Sequence, residues 1–121
     1  MPSEHLDVQA YEGLVLAKIT KERLLEAPVI AALGEDLLKL VDRYPRLSLI
    51  VDLGDVAYLS SAFIGKLVAV FKSISTVKGR MIVAGVRPSL MPLFQVTRID
   101  KIIAFEPVVE KAILLYKRKP L

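Results

Sequence analysis

Apolar and polar residues alternate in two short segments near the start of the chain, Leu6–Tyr11 and Leu14–Ile19. Such alternation predicts strands, and the Glu12-Gly13 turn between them predicts an antiparallel hairpin. Leu47–Leu53 is almost continuously apolar and predicts a buried strand. Two further strands are predicted at Arg80–Ala84 and Lys101–Phe105. The segments Thr20–Glu26 and Gly54–Leu59 are predicted to be connections without regular structure.

Apolar residues recur at spacings of three and four between these strands, which is typical of amphipathic helices. The predicted helices are Ala27–Val41, Ser61–Val77, Pro88–Val96 and a last one from Pro107 to about Tyr116. The order ββ-α-β-α-β-α-β-α predicts an α/β fold. We expect a single domain over residues 1–121, with a mixed central β-sheet of about five strands and about four α-helices.

The helix predicted at Ser61–Val77 has two distinct faces. Its core-facing arc is predicted to be Phe63, Ile64, Leu67, Val68, Val70, Phe71 and Ile74. Phe71 lies mid-arc, so Phe71→Ala is expected to cost about 3–5 kcal/mol. The opposite strip contains Ala62, Gly65, Ala69 and Lys66. Its small residues would let another backbone approach closely, but they also suit an ordinary exposed face, and both interpretations remain open.

The composition is that of a globular protein, with 54% hydrophobic and 25% charged residues. Cysteine is absent, which excludes disulfides and thiolate zinc sites. No apolar run approaches the roughly 20 residues that span a bilayer, and the first residues lack the pattern of a signal peptide. We therefore expect a soluble, cytoplasmic protein that does not associate with membranes.

Charge is unevenly distributed along the chain. Residues 1–60 carry six basic and ten acidic residues, whereas residues 61–121 carry eleven and three. A basic half is a feature of nucleic-acid-binding proteins. Here the cations are scattered except for Lys117–Lys119, and they are not interleaved with aromatic residues as in single-strand binders. The sequence therefore favours no nucleic-acid partner.

Most catalytic arrangements are absent from the sequence. His5 is the single histidine, and the six glycines fit neither a dinucleotide-binding nor a P-loop pattern. Asp52 and Asp55 follow a buried strand, where carboxylates could bind magnesium. The simpler interpretation is that they accept hydrogen bonds from turn amides. We expect no enzymatic activity, no bound metal and no cofactor.

Ser60 and Ser61 lie where the strongly apolar helix begins. A serine there commonly caps a free amide and contributes about 1 kcal/mol. A helix N-terminus also suits a phosphate, because free N–H groups and the positive dipole end face it. Capping explains one serine, and the second could serve as a phosphorylation switch. The residues alone leave open which of Ser60 and Ser61 is the cap and which is the switch.

These residues together resemble the signature of the STAS family, named for sulfate transporters and anti-sigma factor antagonists. The resemblance begins with the apolar strand ending at Asp52-Leu53 and continues through residues 56–65, VAYLSSAFIG. It extends through Lys78–Gly85, Pro88–Phe94 and Ile102–Glu106, and so covers nearly the whole chain. The lack of membrane-spanning segments separates the chain from the transporter branch.

Matched to the family pattern, the phosphorylated serine of the antagonists falls on Ser61 and the preceding aspartate on Ser60. The resemblance therefore implies that Ser61 is the phosphate acceptor, with Ser60 as the alternative acceptor and chiefly a cap. A glycine of the family falls on Phe63, which is expected to add bulk beside the switch, and a further aspartate falls near Leu24. The resemblance therefore implies a phosphorylatable serine that lacks two acidic neighbours. The partner-binding residues expected from this register and from the small-residue strip are Ser60, Ala62, Gly65, Lys66 and Ala69.

The resemblance implies a partner-switching protein that regulates transcription by signal transduction. The unphosphorylated module would bind an anti-sigma factor that is also a serine kinase, a histidine-kinase-like ATPase, and phosphorylation would end the binding. ATP would belong to the partner. Two alternatives remain open. One is a STAS scaffold or sensor subunit that is never phosphorylated. The other is a small phosphate- or nucleotide-binding protein, or enzyme, that uses Asp52, Asp55 and the backbone amides of Ser60 and Ser61. The sequence leaves open whether the protein forms a homodimer.

Overall fold

The computed structural model describes residues 4–120 and contains seven strands and four α-helices in that range. The strands are β1 (Leu6–Tyr11), β2 (Leu14–Ile19), β3 (Arg23–Leu24), β4 (Ser48–Asp52), β5 (Tyr58–Leu59), β6 (Arg80–Ala84) and β7 (Ala104–Glu106). The helices are α1 (Ala27–Arg43), α2 (Ser61–Thr76), α3 (Met91–Val96) and α4 (Val109–Arg118), with a 3-10 turn at Ile99–Lys101.

Five strands form the central sheet in the order β1-β2-β4-β6-β7. The β1–β2 hairpin is antiparallel, and every other neighbouring pair is parallel. The prediction of a mixed five-stranded sheet with four helices is confirmed. Parallel strands need crossover connections, and α1, α2 and the α3 segment supply them.

The two faces of the sheet are covered differently. On one face α1 and α2 pack over a large core that includes Leu49 and Val51 of β4. On the other face α4 covers a smaller cluster that includes Ile50, Ala112 and Tyr116. Because successive side chains of a strand point to opposite faces, β4 contributes to both clusters and is buried on both sides. This explains why its sequence is continuously apolar rather than alternating.

A second, two-stranded parallel sheet was not predicted. It pairs Arg23 with Tyr58 and Leu24 with Leu59, within segments expected to be irregular connections. Each strand has only two residues, so no alternation can develop, and the pairing joins segments more than thirty positions apart. The backbone N–H groups of Ala57 and Tyr58 also donate to the carbonyl of Glu22, at 2.8 and 3.1 Å. These bonds fix the chain directly before α2.

The last predicted strand is wrong in position. Lys101–Phe105 was expected, but the strand is Ala104–Glu106 and a 3-10 turn precedes it. Ile99 and Ile103 of this region are buried while Ile102 is 53% exposed, a spacing of four that a turn produces and a strand does not. The apolar run Ile102-Ile103 was therefore misread, because short apolar runs cannot be assigned by periodicity alone.

The core-facing arc predicted for α2 is confirmed for five residues but not for Val68 and Phe71, which are only partly buried. Phe63, Ile64, Leu67, Val70 and Ile74 are buried. Phe71 is only partly buried and packs against the edge of the core, whereas Phe63 has no exposed surface. The full burial penalty expected for Phe71 therefore belongs to Phe63.

Lys78 and Gly79 end α2 in different ways. Lys78 adopts the left-handed conformation, with φ of 61°. Gly79 is required for a different reason: a Cβ there would collide with the carbonyl oxygen of Leu47 and lie 2.9 Å from Cγ2 of Ile74. The glycine thus permits the close approach of the α2–β6 link to the start of β4.

Candidate functional site

The two serines occupy different environments at the start of α2. Ser60 is the N-cap residue, with extended φ and ψ of −106° and 165°, and Ser61 is the first helical residue. The N–H of Ser60 donates to the carbonyl of Leu24 at 3.1 Å, and its own carbonyl accepts from the N–H of Phe63 at 3.1 Å. The second sheet therefore holds the N-cap backbone, and α2 starts from a fixed point.

The expectation that Ser60 caps α2 through its side chain is wrong. Its hydroxyl forms no capping bond, and within residues 4–120 the enclosed Ser60 Oγ has no hydrogen-bond partner. Ser61, in contrast, is exposed to solvent. The first-turn amides of Ser61 and Ala62 have no acceptor within the helix, because helix geometry provides none. The exposed serine is thus the one beside free N–H groups.

The predicted strip on α2 is exposed. Ala62, Gly65, Lys66 and Ala69 all face solvent, on the side of the helix opposite Phe63. A Cβ added to Gly65 would meet no atom within 4 Å, so no neighbour within the fold requires a glycine there. The five residues Ser61, Ala62, Gly65, Lys66 and Ala69 are called the α2 strip below.

Lys66 has an additional contact with α1. A Cβ on the buried Gly34 would lie 3.0 Å from Cδ of Lys66 and 3.5 Å from its Cε. The aliphatic part of Lys66 therefore lies across Gly34 while the residue as a whole stays exposed. This lysine links the α2 strip to the helix beside it.

Three further exposed residues lie near the α2 strip: Arg23 and Tyr58 of the two-stranded sheet, and Leu25, which follows β3. The guanidinium carbon of Arg23 lies 4.8 Å from the ring centroid of Tyr58, a cation–π contact. Tyr58 is 50% exposed and Leu25 is 42% exposed. Leu25 follows Leu24, whose carbonyl binds the N–H of Ser60. Sequence reasoning missed these three residues, because it did not detect the pairing that brings them to Ser60.

Two of the four positions matched to the family pattern, Leu24 and Phe63, are buried. Leu24 and Phe63 have no exposed surface and belong to the main core. The expectation that Phe63 adds bulk beside the switch is wrong, because its ring points into the core, away from Ser61. A carboxylate at Leu24 would be desolvated there, and its exposed neighbour Arg23 is basic.

The carboxylates of Asp52, at the end of β4, and of Asp55 have structural partners. Asp52 Oδ1 accepts a 2.8 Å hydrogen bond from the N–H of Gly54, and Asp55 Oδ2 lies 3.4 Å from Lys18 Nζ. Within the described part of the chain, no group of three or more histidine, cysteine, aspartate or glutamate residues is arranged to hold a metal ion. The simpler interpretation, that both carboxylates accept hydrogen bonds from amides, is confirmed for Asp52 and wrong for Asp55, which pairs with Lys18.

The domain matches one protein family over most of its length. Residues 5–112 fit the family model of the STAS domain. The chain belongs to the STAS family. Of the helices in residues 4–120, none has both the length and the apolar character needed to cross a membrane.

Solved structures share this STAS fold. One is an anti-sigma-factor antagonist domain protein from Planctomyces limnophilus, with a TM-score of 0.80 and 21% identity over 91% of this chain and 95% of that one. Another is an anti-sigma factor antagonist from Mycobacterium paratuberculosis, with a TM-score of 0.80 and 20% identity; the match covers 93% of this chain and 92% of that one. The Bacillus cell fate determinant SpoIIAA in its phosphorylated form is also similar, with a TM-score of 0.67 and 14% identity; the match covers 89% of this chain and 96% of that one.

Proposed function

We propose that this STAS domain is an anti-sigma factor antagonist-like module that performs no catalysis itself. It binds an anti-sigma factor that is also a serine kinase of the histidine-kinase-like ATPase type, and Ser61 is the residue that the kinase phosphorylates. One observation carries the proposal: of the two serines at the start of α2, the exposed one adjoins free first-turn amides and the small-residue strip. The fold shared with anti-sigma factor antagonists supports it.

The different exposure of the two hydroxyls favours Ser61 over Ser60 as the acceptor. A kinase must bring the γ-phosphate of ATP into line with the attacking oxygen, so the acceptor hydroxyl has to enter the active site of another protein. Ser61 meets this requirement without rearrangement. Ser60 Oγ is enclosed, and its backbone is held by Leu24. Phosphorylation of Ser60 would need the start of α2 to open.

A phosphate on Ser61 would change charge without unfolding the helix. It adds about two negative charges at neutral pH, and the positive end of the helix dipole stabilises an anion in the first turn. The α2 strip carries one charged side chain, Lys66, among small residues. A partner packed closely on that strip would have to desolvate the phosphate, which weakens binding.

Binding measurements with the candidate kinase test the proposal. We expect Ser61→Ala to bind like the wild type and Ser61→Asp to bind at least ~10-fold more weakly, the equivalent of about 1.4 kcal/mol. Ser60→Ala is the matched control and should bind normally, since its hydroxyl does not reach the surface. Equal affinity of all four proteins would contradict a docking surface at Ser61.

The Gly65→Ala variant tests whether the α2 strip is a docking surface or an ordinary exposed helix face. Since a Cβ at Gly65 meets no atom of this chain, Gly65→Ala should raise the stability of the isolated domain by roughly 0.5–1 kcal/mol. If a partner backbone packs on the strip, the same methyl group should weaken binding. Ser75→Ala, at the exposed far end of α2, is the control and should leave the affinity unchanged. A Gly65→Ala protein that is more stable and binds normally would place the partner elsewhere.

The alternatives are outcomes of these tests. A scaffold or sensor subunit would bind its partner normally and remain unphosphorylated. The nucleotide-binding alternative relies on Asp52 and Asp55, but Asp52 accepts a hydrogen bond from Gly54 and Asp55 pairs with Lys18.

A further inference from the structure

A cavity of about 950 Å³ opens at the end of the sheet opposite Ser61. It lies between the β1–β2 turn, the loop that follows α1 and the C-terminal end of α4. Residues that form its walls include Tyr11, Tyr44, Arg46, Ser48, Tyr116 and Lys117. The sixteen residues of α2 run from one end of the sheet towards the other, a length of roughly 24 Å. The cavity, called the basic pocket below, is therefore separate from the α2 strip.

The basic pocket carries more positive than negative charge. Arg46 and Lys117 line it, and Glu12 is the single acidic residue in its wall. The two ion pairs found in residues 4–120 are His5–Glu4 and Lys18–Asp55, so neither Arg46 nor Lys117 has a carboxylate within 4.0 Å there. Both side chains are exposed. Their charges are thus available to a ligand.

Helix dipoles do not account for both cations. The C-terminal ends of α1 and α4 face this side of the sheet and favour nearby positive charge. At the C-terminal end of α4 this positive charge is supplied by Arg80, whose guanidinium donates to the carbonyl oxygens of Tyr116, at 3.3 Å, and of Lys119. Arg43 lies in the last turn of α1. Arg46 lies beyond the C-terminal end of α1, so its positive charge is additional to that of Arg43, which already lies next to the negative end of the helix dipole.

Tyr116 is an almost fully buried lining residue whose position is fixed by several contacts. Tyr116 donates to the carbonyl of Leu49 at 2.8 Å, and Arg80 lies 4.3 Å from its ring centroid. The Nε of Arg80 also donates to Ser48 Oγ at 2.9 Å. Tyr44 packs against the main core and Tyr11 is half exposed, and both residues also line the pocket.

Arg46 has an unusual backbone conformation. Its φ of 50° lies in the left-handed region, which disfavours residues other than glycine. A glycine would adopt this turn with less strain, yet the position carries a long cationic side chain that faces the pocket. Strained residues of this kind occur often at ligand sites.

We propose that the basic pocket binds a small organic anion with a flat apolar body, such as an aryl phosphate or an aryl carboxylate. Arg46 and Lys117 bind the anionic group, and the half-exposed ring of Tyr11 contacts the flat body. The volume falls within the range of known small-molecule sites, about 300–1,000 Å³. This site does not involve Ser61. It would let the domain bind a small molecule whichever protein docks on the α2 strip.

Titration of the ¹⁵N-labelled domain with 2-naphthyl phosphate, followed by amide chemical shifts, tests the proposal. We expect saturable shifts confined to pocket residues such as Gly13, Leu47 and Lys117. Inorganic phosphate, which lacks the flat body, and 2-naphthol, which lacks the anionic group, should each bind at least ~10-fold more weakly. Shifts that do not saturate, or equal affinity for inorganic phosphate, would overturn the proposal.

Two charge variants give the matched comparison. Arg46→Gln with Lys117→Gln removes two cations from the pocket and should raise the Kd by at least ~10-fold. Lys72→Gln with Lys101→Gln removes two exposed cations elsewhere and should leave the Kd unchanged. Arg46→Gly provides a variant that relieves backbone strain while removing one cation, so weaker binding by it cannot reflect misfolding. Equal Kd values for the two double variants would rule out the assignment.

Discussion

Replacing Phe63 tests how α2 is anchored beside the candidate site. The ring has no exposed surface, so Phe63→Ala loses its entire transfer free energy and leaves a cavity in the main core. Together these terms predict a loss of about 3–5 kcal/mol. Phe71 is partly exposed and packs at the edge of the core, so Phe71→Ala should lose roughly 1–2 kcal/mol. The two variants delete the same ring from the same helix and differ in burial.

Urea unfolding followed by circular dichroism measures both changes. With a slope near 1.5 kcal/mol per molar urea, a loss of about 4 kcal/mol lowers the midpoint by about 2.7 M. Phe71→Ala should lower it by about 1 M, and the slope should stay the same in both variants. If Phe71→Ala lost as much stability as Phe63→Ala, the different burial of the two rings described here would be wrong.

Three further stability changes follow from the structure. Gly79→Ala should be strongly destabilising, because its Cβ would collide with the Leu47 carbonyl, whereas Lys78→Gly should stabilise by about 1 kcal/mol in thermal melts. Tyr116→Phe should cost about 1 kcal/mol at pH 7 through loss of the bond to Leu49. Burial raises the pKa of Tyr116, so the wild type should lose stability as pH rises above about 10, and urea melts of the variant should show a shallower loss.

Helices and strands are predicted correctly from the sequence where they are long enough for the periodic spacing of their apolar residues to be recognised. The hairpin, α1, β4, α2 and β6 are all found within about two residues of their predicted bounds. The STAS resemblance added the register that points to Ser61. These elements succeed because local pattern and tertiary burial agree along them.

Features that depend on contacts between distant segments were beyond the sequence. The pairing of Arg23 with Tyr58 joins two-residue strands, and no local signal marks it. The enclosure of Ser60 Oγ and the exposure of Ser61 follow from that pairing, so a capping rule assigned the wrong role to Ser60. The basic pocket likewise combines three segments that are far apart in sequence.

Phosphorylation by the candidate kinase is the most direct test of the central proposal. The domain is incubated with the kinase and ATP, and the modified residue is mapped by mass spectrometry, with Ser60→Ala and Ser61→Ala in parallel. We expect one phosphate on Ser61 in the wild type and in Ser60→Ala, none in Ser61→Ala, and loss of kinase binding by the phosphorylated protein. Phosphate on Ser60 alone, or none on either serine while binding persists, would contradict the account; the second result would instead indicate a constitutive scaffold.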